Sequence, residues 1–333
     1  MFRLTTAVLI MGALSACQTM PLGATPAPVG DVMADLAPPA PGEGEQLVAG
    51  PFSVPPGGEV QNNFYMKLKS DHDVLVDHID IVYPKGSHHC NCFKSDTLDV
   101  PDHVDNTFDA MYPKWDMFAN SQTGDLHWDF PPGVAMRFKA HQQLNIQSHY
   151  VNTLTQQTPI NEGLKVKVNL HYADPAKVKS TMGMFFAVNP SLKLLPHSTF
   201  IAQKSISLAD QGLSKDVKVI AMSGHFHSRG KDFQVNRWEG RDPNVRGEEV
   251  YESKNWEEPP FKIYDKPFDL KSTERLLYTG TYVNKTDITI GFGAGNLDTK
   301  EHSNLFMYFY PGPEDGKTVY DVTASQFQEV GEI

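Results

Sequence analysis

Histidine is the residue type in this chain best placed to do chemistry, and four of its occurrences stand in patterned surroundings. In GSHHCNCF, residues 86–93, His88 and His89 directly precede Cys90 and Cys92. Neighbours on a regular strand point to opposite faces, so both histidines reach one ion only where the strand kinks or ends. Gly86 permits such a departure. Cys90 and Cys92 would share a face; thiolates beside imidazole suit Cu(I) or zinc, whereas two small buried cysteines need only pack. In LNIQSHYVN, alternation puts Asn145, Gln147 and His149 on one side of a strand, where His149 is either a hydrogen-bonded structural residue or a third ligand. In MSGHFHSRG, His225 and His227 stand two apart. On a strand that spacing projects both rings to one face about 6–7 Å apart at the backbone, and two rings at that separation can converge on an ion about 2 Å from each nitrogen. Phe226 would then face the core; the alternative is a pair of solvent-facing histidines. Finally, His302 in DTKEHSNLFMYFYP sits at the entrance to a strand and reads as a ligand or as a loop residue. Met307 falls on the opposite strand face from it.

The segments that must hold these residues alternate between apolar and polar positions and are separated by turn formers. NNFYMKLKS, VLVDHIDIVYP, VAMRFKA, QLNIQSHYVN and LKVKVNLHY read as half-buried strands. HSTFIAQKSIS, DVKVIAMSGHFHS, KDFQVNRWE, ERLLYTGTYVN, TDITIGFG and NLFMYFYP continue the series. No strand is followed by a long amphipathic helix, so the expected class is all-β and not parallel α/β. Helix is expected only as single turns, as around 108–119. VNPSLKLLP, with two prolines, marks an expected boundary near 186 between two halves, 60–186 and 187–333.

The N-terminus carries an export pattern. Arg3 precedes an apolar run from Ala7 to Leu14, too short to cross a bilayer as a helix, then Leu14-Ser15-Ala16 before Cys17. Residues 1–17 therefore read as a bacterial lipoprotein signal with lipid on Cys17. By resemblance to known lipoproteins, Gln18, not being aspartate, directs the expectation to the outer membrane, facing the periplasm. Residues 18–59 are rich in Pro, Gly and Ala and read as a flexible tether. With 29 Lys and Arg against 40 Asp and Glu, the formal charge is −11. No basic cluster interrupts it, which argues against a nucleic-acid partner. After processing at Cys17 only Cys90 and Cys92 remain, so the fold must rest on its core and not on crosslinks.

Taken in order, HH, then QSHY, then HFH, GFG and a closing YFYP, with PPGVAMRF before the QSHY strand, the motifs resemble the type II copper, ascorbate-dependent monooxygenases. That group contains peptidylglycine α-hydroxylating and dopamine β-monooxygenases. The resemblance spans about residues 60–312. It implies two antiparallel, jelly-roll-like β-sandwiches with one copper each. It would place the electron-transfer copper on His88, His89 and His149, and the oxygen-activating copper on His225, His227 and His302. The family has methionine at the position of His302; a third imidazole tolerates Cu(II) and zinc better than a thioether does. Ser223 stands where the peptide-amidating enzyme has its carboxylate-anchoring arginine, which removes peptide amidation from the expectation. Asn304 matches a substrate-contacting asparagine.

The function implied is a lipid-anchored copper monooxygenase that hydroxylates a C–H bond of a small organic substrate with O2. Its electrons would come from ascorbate or another external reductant. The alternative is a non-catalytic copper-binding envelope protein for storage, delivery or sensing, favoured by the all-imidazole second site and by the cysteines beside His89. A third reading is a zinc hydrolase at His225, His227 and His302 with Asp232 or Glu301 as base.

Overall fold

The computed structural model describes residues 36–84, 87–106, 114–121, 124–152, 163–256, 259–293, 299–325 and 327–332. The signal segment with Cys17 and the first part of the expected tether lie outside these residues.

Strand alternation becomes burial alternation. In Leu164–Tyr172, Leu164, Val166, Val168 and Leu170 are fully buried while Lys165 and Lys167 stay half-exposed. Helix among the described residues is confined to two single turns, Pro175–Lys177 and Ala209–Gln211. No described helix is long and apolar enough to cross a membrane. The short helix expected at 108–119 falls partly on residues that are not described, and Asp116–Ser121 is a strand. Within the expected tether, Gly44–Phe52 is also a strand, paired antiparallel with Leu164–Tyr172.

The strands form five sheets. The first orders Gly44–Phe52, Leu164–Tyr172, Val74–Val82, Val134–Phe138 and Ser180–Thr181, with Leu126–Asp129 also paired to Val74–Val82. The second orders His103–Asp105, Glu59–Lys67, Gln143–Val151, Ser87–Ser95 and Asp116–Ser121. The third runs Lys262–Leu270, Val217–His225, Asn304–Tyr310, Gly183–Val188 and Val319–Asp321. The fourth runs Glu249–Ser253, Gly230–Trp238, Arg275–Asn284, Ser198–Ile206 and Phe327–Glu332. Three short strands, Lys193–Leu194, Ile290–Phe292 and Lys300–Glu301, make the fifth.

All-β is therefore the class, but the expected division into two separate jelly-roll sandwiches is corrected. The five sheets equal in number the blades of a five-bladed β-propeller. Their neighbouring strands, however, come from distant parts of the chain and not from consecutive meanders. Residues 31–333 form one compact unit. The reason no boundary appears near 186 lies in strands that are apolar on both faces. Along Asn304–Tyr310, Leu305, Met307 and Phe309 enter one apolar cluster, together with Phe226, Phe233 and Tyr278. Phe306 and Tyr308 enter the other, with Trp128, Phe118, Ile146 and Val168. Tyr308 packs edge-on against Trp128 at 4.9 Å and donates a hydrogen bond to Asn120 Oδ1 at 2.9 Å. Side chains from before and after residue 186 thus share one core.

Candidate metal centre

Three imidazoles converge at the end of the third sheet. His225 is the last residue of Val217–His225 and lies across from Asn304, the first residue of Asn304–Tyr310. Phe226 turns the other way, 1% exposed, and stacks on Phe233 at 5.8 Å. His227 follows in a turn closed by the Gly230 N–H donating to the His227 carbonyl at 2.9 Å. Glycine is required there because a Cβ on Gly230 would meet the Phe226 ring at 2.2 Å. His302 arrives from the other side, its carbonyl accepting from the Tyr282 hydroxyl at 2.9 Å. The adjacent Ser303 carbonyl accepts from the Tyr278 hydroxyl at 3.1 Å.

One ligand atom from each of His225, His227 and His302 lies within 4.8 Å of the others. His225 Nε2 and His302 Nδ1 are 3.1 Å apart, close to the separation of about 3.3–3.5 Å that two nitrogens adopt on a tetrahedral ion. His227 Nδ1 is 3.3 Å from the Lys300 carbonyl, a contact that fixes the ring and presents Nε2 as the ligand atom. Glu301 joins the two backbone segments. Buried completely, it accepts from the N–H groups of His227 at 2.5 Å, His302 at 2.8 Å and Arg229 at 3.3 Å.

Burial also sets the protonation. It lowers His302 to about 3, helped by the neighbouring His227, and lowers His227 to about 4. Burial raises Glu301 to about 7 despite its three backbone donors. At neutral pH His227 and His302 are therefore neutral, the form that binds a metal.

The second sheet contributes another pair. The register of Ser87–Ser95 against Gln143–Val151 shifts between Ser87 and His89, a bulge at His88 that brings His89 opposite His149. Their rings lie 4.8 Å apart, and His149 Nε2 is 2.6 Å from Glu59 Oε1. Burial lowers His149 as well. The His88 side chain lies outside the described residues. His89 is also 5.9 Å from His225, ring to ring. The two cages expected to be separate are thus one contiguous run of imidazoles from His149 through His89 to His225, His227 and His302. Cys90 and Cys92 do not join it: their sulfurs, 4.0 Å apart and fully buried, face the apolar cluster on the other side of the strand. Met307 is fully buried in the second cluster. Asn304, 6% exposed, sits beside His225 in the sheet.

A second set of ligands escaped the sequence reading. His78, Asp80 and His171 also bring ligand atoms within 4.8 Å of one another, so two small clusters capable of coordinating a metal ion are present among the described residues. The available signal was His78-Ile79-Asp80, which has the same two-residue spacing as His225 and His227. Glu59 and the bridging role of Glu301 were missed too: Glu59, half-exposed, lies 90 positions from His149, and the backbone donors that Glu301 gathers leave no pattern in the sequence.

No family model matches the chain, and no curated protein does. The resemblance to the copper monooxygenases does not hold as membership, given also one unit of five sheets in place of two jelly-roll sandwiches. With it fall the oxidoreductase activity and the O2, reductant and organic-substrate partners, on which the expected catalytic roles of His225, His227 and His302 and the expected substrate contact of Asn304 rested. A cleft of about 570 Å3 is lined by Lys67, Asp96, Lys139, His141 and neighbours, and none of the cluster histidines lines it. Cys17, and with it the expected lipid attachment, lies outside the described residues.

Proposed function

We propose that the chain is a non-catalytic copper-binding protein of the cell envelope, holding the ion for storage, delivery or sensing. The observation that carries this reading is the convergence of three imidazoles, His227 buried and His225 and His302 half-buried, with ligand atoms within 4.8 Å. Neutral nitrogen donors suit copper, which among the divalent first-row ions binds such sites most tightly. Glu301 supports the set by anchoring both histidine segments through their backbone N–H groups. His89 and His149 extend the cluster and would give a second ion its imidazoles, with Glu59 orienting His149.

Metal-free protein titrated with copper, in competition with a chelator of known affinity, tests the reading. Stoichiometric binding that falls at least tenfold in both His225→Ala and His302→Ala is expected. Copper-loaded protein given a reductant should show no sustained oxygen uptake. Unchanged affinity in both variants would overturn the site, and sustained reductant-driven uptake would overturn the non-catalytic reading.

A further inference from the structure

Three neighbouring strands of the first sheet present a second constellation on their outward face. Leu164–Tyr172 pairs with Val74–Val82, which pairs in turn with Leu126–Asp129. Register places His171 across from His78, Asp129 across from His78 on the other side, and His127 across from Asp80. Ile79 and Ile81, the alternate residues, are fully buried beneath. The pleat therefore gathers three imidazoles and two carboxylates on one side of the sheet.

Asp80 is the hub. Its Oδ1 lies 2.8 Å from His78 Nε2 and 2.6 Å from His127 Nδ1, and its Oδ2 lies 2.9 Å from His171 Nε2. The His78 and His171 rings stand edge to face at 4.7 Å. His78 Nδ1 is 2.6 Å from Asp129 Oδ1. A ring held by a carboxylate on one nitrogen while the other faces a shared centre is the arrangement in which histidine ligands are oriented in metal sites. Access is open, with the His127 side chain 62% and the His171 side chain 34% exposed, while Asp80 is only 9% exposed.

We propose that His78, Asp80, His127 and His171 form a binding site for a divalent zinc-like cation, with Asp129 orienting His78. Three nitrogens and one carboxylate oxygen make a four-coordinate set for an ion of borderline softness. His78, Asp80 and His171 already bring ligand atoms within 4.8 Å of one another; their nitrogen-to-oxygen distances widen to about 3.3–3.5 Å, the edge of a tetrahedron with bonds of about 2.0–2.1 Å, and His127 swings in as the fourth ligand. Exposed His127 and His171 can make that adjustment by side-chain rotation. Two carboxylates balance the dication. Burial opposes charge on Asp80, yet hydrogen bonds from His127, His171 and His78 bring it down to about 2 and keep it ionised. This site shares no residue with the His225 cluster, so it stands or falls separately.

The test uses zinc alone, added to the metal-free chain, with bound zinc counted after desalting and affinity measured by chelator competition. In the His225→Ala/His302→Ala protein one zinc should remain, and adding Asp80→Asn should weaken it at least a hundredfold. Asp129→Asn should weaken it about tenfold. Because the triple variant can fail to fold, cobalt(II) is added in parallel to the wild type and to the single variant His171→Gln. An intense tetrahedral visible spectrum in the wild type, lost in His171→Gln, supports the site. No zinc retained in the His225→Ala/His302→Ala protein, or zinc and cobalt binding indifferent to Asp80→Asn and His171→Gln, overturns it while leaving the copper reading untouched.

Discussion

At the scale of single residues the site is governed by what burial does to protonation. Unfolded, His227 and His302 titrate near 6.5; folded, they do so at about 4 and about 3. Between those values the unfolded chain holds more protons, so their contribution to stability is present above about pH 6.5 and is lost as pH falls toward the folded values. Each unit of difference is worth about 1.4 kcal/mol. Urea unfolding of the metal-free protein should therefore show a steeper loss of stability between about pH 6.5 and pH 4.5 in the wild type than in His302→Gln; parallel curves would contradict the burial. Glu301→Gln exposes a second dependence. An amide offers one acceptor where the carboxylate offers two, leaving a buried N–H group facing another N–H, which costs about 1–3 kcal/mol. Lower urea stability, together with about 10–100-fold weaker copper binding, is expected, as for other residues that orient ligands. Residues 225–227 were legible from their two-residue spacing, although the strand ends at His225 and His227 lies in the turn beyond it. His78, Asp80 and His171 were not, since strands 91 positions apart are brought together only by sheet pairing.

At the scale of elements, the end of Val217–His225 and the turn after it depend on two glycines that admit no side chain. A Cβ at Gly224 would meet the Phe233 ring at 2.8 Å, and one at Gly230 would meet Phe226 at 2.2 Å. Gly230→Ala should cost about 1–3 kcal/mol by overpacking and should weaken copper binding in step, because Phe226 lies between the two histidines in sequence. Thermal unfolding and copper titration on the same sample check this, and full affinity at reduced stability would separate the turn from the site. Alternation in LKVKVNLHY identified a strand whose burial follows the pattern; QLNIQSHYVN is a strand as well, but its polar side chains are buried along with its apolar ones. Alternation could not identify Gly44–Phe52, whose Gly, Pro and Ala content resembles a linker and whose strand character comes from pairing with Leu164–Tyr172. The bulge at His88 was anticipated as a kink, but its effect of aligning His89 with His149 comes from the partner strand.

For the whole molecule, the continuous run NLFMYFY explains why an expected boundary near 186 does not divide the described residues. A strand apolar on both faces must be covered on both, and Asn304–Tyr310 accordingly feeds two clusters. Equilibrium unfolding should then be a single transition that coincides by tryptophan fluorescence and far-UV circular dichroism; two resolved transitions would contradict a shared core. The C-terminal segment is tied in by Lys204, 2% exposed, whose Nζ donates to the carbonyls of Val188 at 2.6 Å, Asp321 at 3.0 Å and Thr323 at 2.8 Å and pairs with Asp321 Oδ1 at 2.8 Å. Lys204→Met leaves a buried carboxylate without its cation and should cost about 3–5 kcal/mol, read as a lower urea midpoint. The most direct measurement of the central claim is anomalous diffraction at the copper edge from crystals of copper-loaded protein. A peak about 2 Å from a ring nitrogen of each of His225, His227 and His302 is the expected result; copper bound elsewhere, with no peak among those three rings, would contradict it.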